Sequence, residues 1–232
     1  AVSNGLGWDR KLWAAVLSST SGVVRAAQAA CANDVNTGSL SSGLHHAKPR
    51  HGDGFCTLNG LAVAAHDLTK QGARVLILDF DAHCGGGTIE CLDRLNSSVD
   101  HVDVATNWFD SYAPNPYGTG LRRITIVESP DDYLTQIDIS LCSLNASDYD
   151  VVLYNAGMDP HEWAGGMTGI DTRILGTRET MVYEWAHDYG LPVAFVLAGG
   201  YESSRFTLND VAELHLMTAR AAHRMNQKAI AA

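Results

Sequence analysis

The sequence predicts an α/β fold of three layers, a mostly parallel sheet flanked by helices. Two observations carry this expectation. The apolar runs at 74–80, 149–157 and 192–200 are continuous rather than alternating, as strands buried on both faces are. Segments with helical apolar spacing separate them, so strands and helices alternate along the chain. A length of 232 residues suits one domain, 1–232.

The elements follow in order. Residues 8–31 are Ala-rich with the apolar spacing of a helix. Residues 33–54, rich in Gly, Ser, His and Asn, read as a long loop. A helix is expected over 57–71 and a strand in "RVLILDF" at 74–80. A short helix near 88–95, a strand near 99–105 and a loop of Pro, Gly, Tyr and Asn at 110–120 come next. "RITIVE" (123–128) reads as a strand, 130–146 as a helix, and "YDVVLYNAG" (149–157) as a buried strand. A helix over 171–189, the strand "PVAFVLAGG" (192–200) and a helix over 206–228 close the chain.

Composition narrows the function classes. A formal net charge of -10 argues against polyanion binding through broad electrostatics, so no direct nucleic-acid partner is expected. It leaves cationic substrates open. No apolar run approaches the roughly 20 residues that span a bilayer, so no membrane partner is expected. The five cysteines form no CxxC pair, which suits reduced thiols and a cytoplasmic location, or a nuclear one in a eukaryote.

The polar clusters sit at strand ends, where open α/β sheets build their sites. In "DFDAHCGGG" (79–87), Asp79, Asp81 and His83 alternate and would project to one side. They could begin a metal site or simply end a strand. The glycines could approach a phosphate, but neither GxGxxG nor GxxxxGK[ST] is present. "NAGMDPHE" (155–162) places Asp159 just beyond a buried strand, as a third ligand or as a turn residue. His45 and His46 in "GLHHA" suit acid–base work near a metal. Gly54 and Phe55 could form an apolar wall with close backbone approach, and Cys56 reads as a small buried residue. Tyr201, after Gly199 and Gly200, could donate a hydrogen bond to an oxyanion.

Five pieces in order, "GLHHA", "GFCTLN", "LDFDAHCGGGT", "NAGMDPHE" and "LAGGY", span residues 43–201. Together they resemble the zinc-dependent histone deacetylase and acetylpolyamine amidohydrolase family, of the arginase/deacetylase fold. The resemblance implies that Asp81, His83 and Asp159 hold one Zn2+. An Asp-His-Asp set also admits Fe2+ or Co2+. It further implies His46 as general base beside His45, Asp79 as the carboxylate orienting His45, and Tyr201 as the group polarising the amide carbonyl. Gly54, Phe55, Gly199 and Gly200 would line a narrow substrate channel. A monovalent cation such as K+ would sit near Asp79, Asp81, His83 and the backbone at Thr106. The implied reaction is hydrolysis of a small linear amide, in acetyl-lysine or an acetylpolyamine, to acetate and an amine.

The sequence also departs from the family pattern. Cys84 replaces a second His, and Gly86 stands where an Asp or Asn assists the second histidine. His46 is therefore expected to lack its partner. The family's segment ahead of the Ala-rich helix is not found, so a shortened domain is expected, with a homo-oligomer or partner covering the gap. Two alternatives stand beside the deacetylase. One is a ureohydrolase-like binuclear manganese enzyme, for which "DAH" at 81–83 matches but Gly85 stands where a second bridging Asp belongs. The other is a catalytically impaired metal-binding module, motivated by Gly86.

Overall fold

A computed structural model describes residues 2–7, 9–113 and 119–231. Six strands form one sheet: β1 (Thr37–Ser42), β2 (Val75–Asp79), β3 (Asp100–Ala105), β4 (Arg122–Ile126), β5 (Val151–Gly157) and β6 (Val193–Ala198). Their order is β1-β6-β5-β2-β3-β4, and every pairing is parallel. The helices are α1 (Arg10–Asn33), α2 (Gly60–Lys70), α3 (Gly86–Arg94), α4 (Pro130–Cys142), α5 (Thr172–Asp188) and α6 (Leu208–Ala231). The residues at 114–118, within the loop expected at 110–120, lie outside the described residues. Among the described residues no helix is long and apolar enough to cross a membrane.

Strand periodicity divides the core into two layers. Leu76, Leu78, Phe80, Val152 and Tyr154 face one way and pack with Tyr133 and Ile137 of α4, Leu175 and Val182 of α5, and Val211 and Leu214 of α6. Val75, Ile77, Val151 and Leu153 face the other way, against Val23 and Ala27 of α1, Leu61 and Leu68 of α2, and Leu92 of α3. Each large side chain buried this way contributes about 1.5–3 kcal/mol. Burial on both faces explains why these strands read as unbroken apolar runs.

β1 corrects the reading of 33–54 as loop. Its sequence, Thr-Gly-Ser-Leu-Ser-Ser, carries no apolar run because its neighbours leave no room for one. A Cβ on Gly38 would lie 2.1 Å from Phe195 Cζ, and one on Gly22 of α1 would lie 2.7 Å from Ser39 Oγ. Small residues let α1 and β6 close on this edge strand, which pairs on one side only.

The topology fixes where a site can form. From β2 the chain moves outward through β3 and β4, then returns to β5 on the other side of β2. Such a reversal opens a crevice beyond the carboxyl ends of the two central strands. Asp79 ends β2, and β5 runs to Gly157, two residues before Asp159.

Candidate active site

The histidine loop is clamped before any chemistry is considered. Asn59, the N-cap of α2, accepts from Ala62 N–H at 2.9 Å and donates from Nδ2 to His45 O (3.1 Å) and Ala47 O (3.2 Å). Thr88 N–H, in the first turn of α3, donates to His45 O at 2.9 Å. Two helix starts thus use the same loop carbonyls, and His45 and His46 are both buried.

The three glycines at 85–87 answer to close packing. A Cβ on Gly85 would lie 2.7 Å from Asp79 Oδ2, one on Gly86 2.2 Å from Asp110 O, and one on Gly87 2.4 Å from His46 C. Backbone donors at this helix start are already engaged. Gly85 N–H donates to Asp103 Oδ2 at 2.7 Å, and Gly87 N–H to Asp110 Oδ2 at 2.9 Å. Protein carboxylates occupy the place a phosphate would take at a helix N-terminus.

Three candidate ligands converge. Asp81, His83 and Asp159 each offer a ligand atom, and these atoms lie within 4.8 Å of one another. His83 Nδ1 is 3.2 Å from Asp81 Oδ1 and 3.0 Å from Asp159 Oδ2. One ring nitrogen facing two carboxylates cannot satisfy both, and Asp159 Oδ2, fully buried, makes no well-aligned hydrogen bond. Asp159 Oδ1 accepts from Ala82 N–H at 3.0 Å, which fixes the carboxylate. Burial disfavours a charged His83, yet Asp159 and Asp81 push its pKa up to about 10. Burial and neighbouring Asp81 push Asp159 up to about 6. The pocket thus demands positive charge. Its O, N, O donor set, with an orphaned carboxylate oxygen, fits a divalent cation.

The flanking groups are set by carboxylates of their own. His45 Nδ1 donates to Asp79 Oδ2 at 2.9 Å, and Asn155 Nδ2 donates to Asp79 Oδ1 at 2.8 Å. Burial opposes charge on His45, but Asp79 and Asp81 raise its pKa well above the ordinary value. His46 lies beside it, with ring centroids 4.0 Å apart. Burial and the neighbouring His45 lower the His46 pKa, against the raising effect of Asp110.

His46 does have a partner, which corrects the expectation drawn from Gly86. Asp110 Oδ2 lies 3.0 Å from His46 Nδ1. The sequence reading missed Asp110 and also Phe109, whose ring meets His46 edge-on at 4.9 Å. The signal available was their position in the loop leaving β3, at the same end of the sheet as Asp81 and Asp159.

A cavity of ≈ 260 Å³ opens over this group, lined by His45, His46, Gly54, Phe55, Asp81, Gly199 and Tyr201 among others. Phe55 (φ 63) and Tyr201 are exposed at its rim. Burial and Asp159 raise the Tyr201 pKa, so the phenol keeps its proton. Gly199, at φ +40, would bring a Cβ within 2.2 Å of Asp159 Cγ, so glycine is required for the chain to pass Asp159. Gly200 is not brought to the cavity; its Cα faces Val211 and Met158. His161 also points elsewhere, bonding Thr172 Oγ1 at 3.1 Å and stacking on Phe206.

A second buried group, Asp79, His101 and Asp103, could also hold an ion. The two groups share no residue, so the bridging carboxylate of a binuclear centre is not among them.

On the opposite sheet face, Arg178 of α5 braces the same strand ends. Its Nη1 donates to Phe80 O (2.9 Å) and Gly157 O (2.7 Å), carbonyls just ahead of Asp81 and Asp159. Glu179 Oε1 accepts from Arg178 Nε (2.9 Å), Arg178 Nη2 (2.7 Å) and Tyr154 Oη (2.8 Å).

Comparison with known proteins agrees with this architecture. Residues 5–117 match the family model of the histone deacetylase domain. A probable deacetylase of Archaeoglobus fulgidus is 33% identical over 216 residues, 84% of this chain and 56% of that protein. An uncharacterized protein of Picosynechococcus sp. is 29% identical over 229 residues, 94% of this chain and 72% of that protein. The crystal structure of an acetylpolyamine aminohydrolase from Burkholderia pseudomallei superposes with a TM-score of 0.67 at 23% identity, over 88% of this chain and 61% of that one. The chain thus spans little more than half of the A. fulgidus protein and under two thirds of the B. pseudomallei one. Residues 5–117 thus resemble the histone deacetylase domain, and the chain shares the fold of the acetylpolyamine aminohydrolase.

Proposed function

We propose that this chain is a metal-dependent amide hydrolase that removes an acetyl or similarly small acyl group from an amine, such as acetyl-lysine or an acetylpolyamine. One observation carries the reading. The ligand atoms of Asp81, His83 and Asp159 converge beside a cavity bounded by two carboxylate-paired histidines and a phenol. Zn2+ suits the donor set, and Fe2+ or Co2+ shares it. A divalent ion held there would polarise the acyl carbonyl and lower the pKa of water.

The chain's own groups supply the rest. His46, with Nδ1 turned to Asp110, presents Nε2 to the cavity as the base for the attacking water. Tyr201 Oη donates to the oxygen that gains charge as the carbonyl is attacked. His45, held by Asp79, stands beside His46 and stabilises the charge that develops as the proton passes to the leaving amine. Phe55 narrows the entrance and excludes bulky acyl groups. The chain's net charge of -10 favours a cationic amine over an anionic one.

The test pairs metal analysis with a panel of acetyl-lysine peptides, acetylpolyamines and other small amides. The expected outcome is a bound divalent ion and turnover on at least one substrate. Asp81→Ala should lose both ion and turnover. Tyr201→Phe should keep the ion and lose roughly 10²–10³-fold in kcat. An ion retained with no turnover on any amide would favour the non-catalytic module.

A further inference from the structure

We propose that Asp110 is the positioning residue for His46, holding it as the Nδ1–H tautomer so that Nε2 is free to accept a proton. The inference rests on the hydrolase reading above and assigns its base a partner from the β3 loop, where the family resemblance placed one at position 86.

Four observations carry it. Asp110 Oδ2 lies 3.0 Å from His46 Nδ1 and also accepts from Gly87 N–H at 2.9 Å. Its other oxygen, Oδ1, takes Lys48 Nζ at 2.9 Å, so the carboxylate is anchored on both sides. The side chain is 3% exposed although it sits in a loop near exposed Trp108 and half-exposed Phe109. The backbone stands at φ 56, in the left-handed region that costs a non-glycine residue about 1 kcal/mol or more. That strain persists because the side chain is held by the site.

Position 86 explains why the carboxylate arrives this way. A Cβ there would lie 2.2 Å from Asp110 O and 2.6 Å from Asp110 Oδ1. The start of α3 and the β3 loop compete for one volume beside His46. Here the loop fills it and α3 begins with glycine. With an acceptor facing Nδ1, the ring proton stays at Nδ1 and the lone pair is left on Nε2 of a ring that lines the cavity.

A purely structural role is the competing account, in which Asp110 only ties the loop to α3. Asp110→Gly separates the two, because glycine keeps the left-handed backbone and removes the carboxylate. The direct readout is the tautomer of His46 by ¹⁵N-resolved NMR, in the metal-free and the zinc-loaded chain, at a pH where the ring is neutral. Nδ1–H is expected in the native chain, and loss of its dominance is expected in Asp110→Gly. The kinetic readout is a kcat lowered about 10²–10⁴-fold, with KM, metal content and melting temperature little changed. Either His46 as Nε2–H in the native chain or full kcat in Asp110→Gly would overturn the assignment. A native chain that turns over no amide, yet shows the Nδ1–H tautomer lost in Asp110→Gly, would sink the hydrolase reading and leave the pairing standing.

Discussion

Two buried charge clusters meet the same strand ends from opposite faces of the sheet. On one face, Arg178 is matched by Glu179, Tyr133 and two backbone carbonyls, so its cation is satisfied within the protein. On the other, two carboxylates, Asp81 and Asp159, crowd one histidine nitrogen. Each cluster leaves one carboxylate oxygen without an aligned donor, Glu179 Oε2 and Asp159 Oδ2, so hydrogen bonding does not separate them. Both clusters are polar, buried and placed by α/β topology. Charge balance tells them apart: the balanced cluster reads as scaffold, and the unbalanced one reads as a seat for a cation.

The contrast can be broken most forcefully at Arg178. Arg178→Met would strand Glu179 without its counter-charge and should cost about 3–5 kcal/mol in urea unfolding. Adding Glu179→Leu should recover most of that loss. Failure of the double variant to recover would show that Arg178 serves the site's carbonyls more than its own ion pair. The next effect belongs to the other face. Zn2+ at about 100 times its Kd should raise unfolding stability by about 2.7 kcal/mol in the native chain. Thermal scans should show no such gain in Asp81→Ala, and an equal gain there would move the ion elsewhere. The smallest effect is at the surface, where Arg74 holds the Asp150 carboxyl below its ordinary value. Because that folded-state pKa is depressed, the pair's small contribution is complete above the ordinary carboxylate value of about 3.9 and fades as pH falls through the depressed one. Asp150→Asn should therefore lower the urea midpoint slightly at neutral pH and leave it unchanged in strong acid. A loss that persists in strong acid would trace to packing.

The sequence was most legible where burial on both faces forced a pattern. β2, β5 and β6 announced themselves as apolar runs, and the candidate ligands followed the ends of β2 and β5, at 81, 83 and 159. β1 was illegible because closeness to Phe195 and α1 selected Gly and Ser, the vocabulary of loops. Asp110 was hidden for a different reason. It meets His46 across 64 residues of sequence, and nothing local marks a carboxylate in the segment Trp-Phe-Asp as anything but solvated. Gly86 looked like a deficiency because the helper was sought at one position along the chain. What matters beside the imidazole is an occupied volume, and a loop filled it.

The switch in strand order has a consequence for how this protein comes together in time. Ala82 and Asp159 are 77 residues apart, and Asn155 meets His45 across 110. No hairpin or single βαβ unit contains the three candidate ligands, so a nascent or partly refolded chain carries Asp81 and His83 without Asp159 in place. Long closures of this kind are slow, because chain entropy is lost before the contacts return it. Assembly of the candidate cation site is therefore a late event, a clock that starts when β5 seats beside β2.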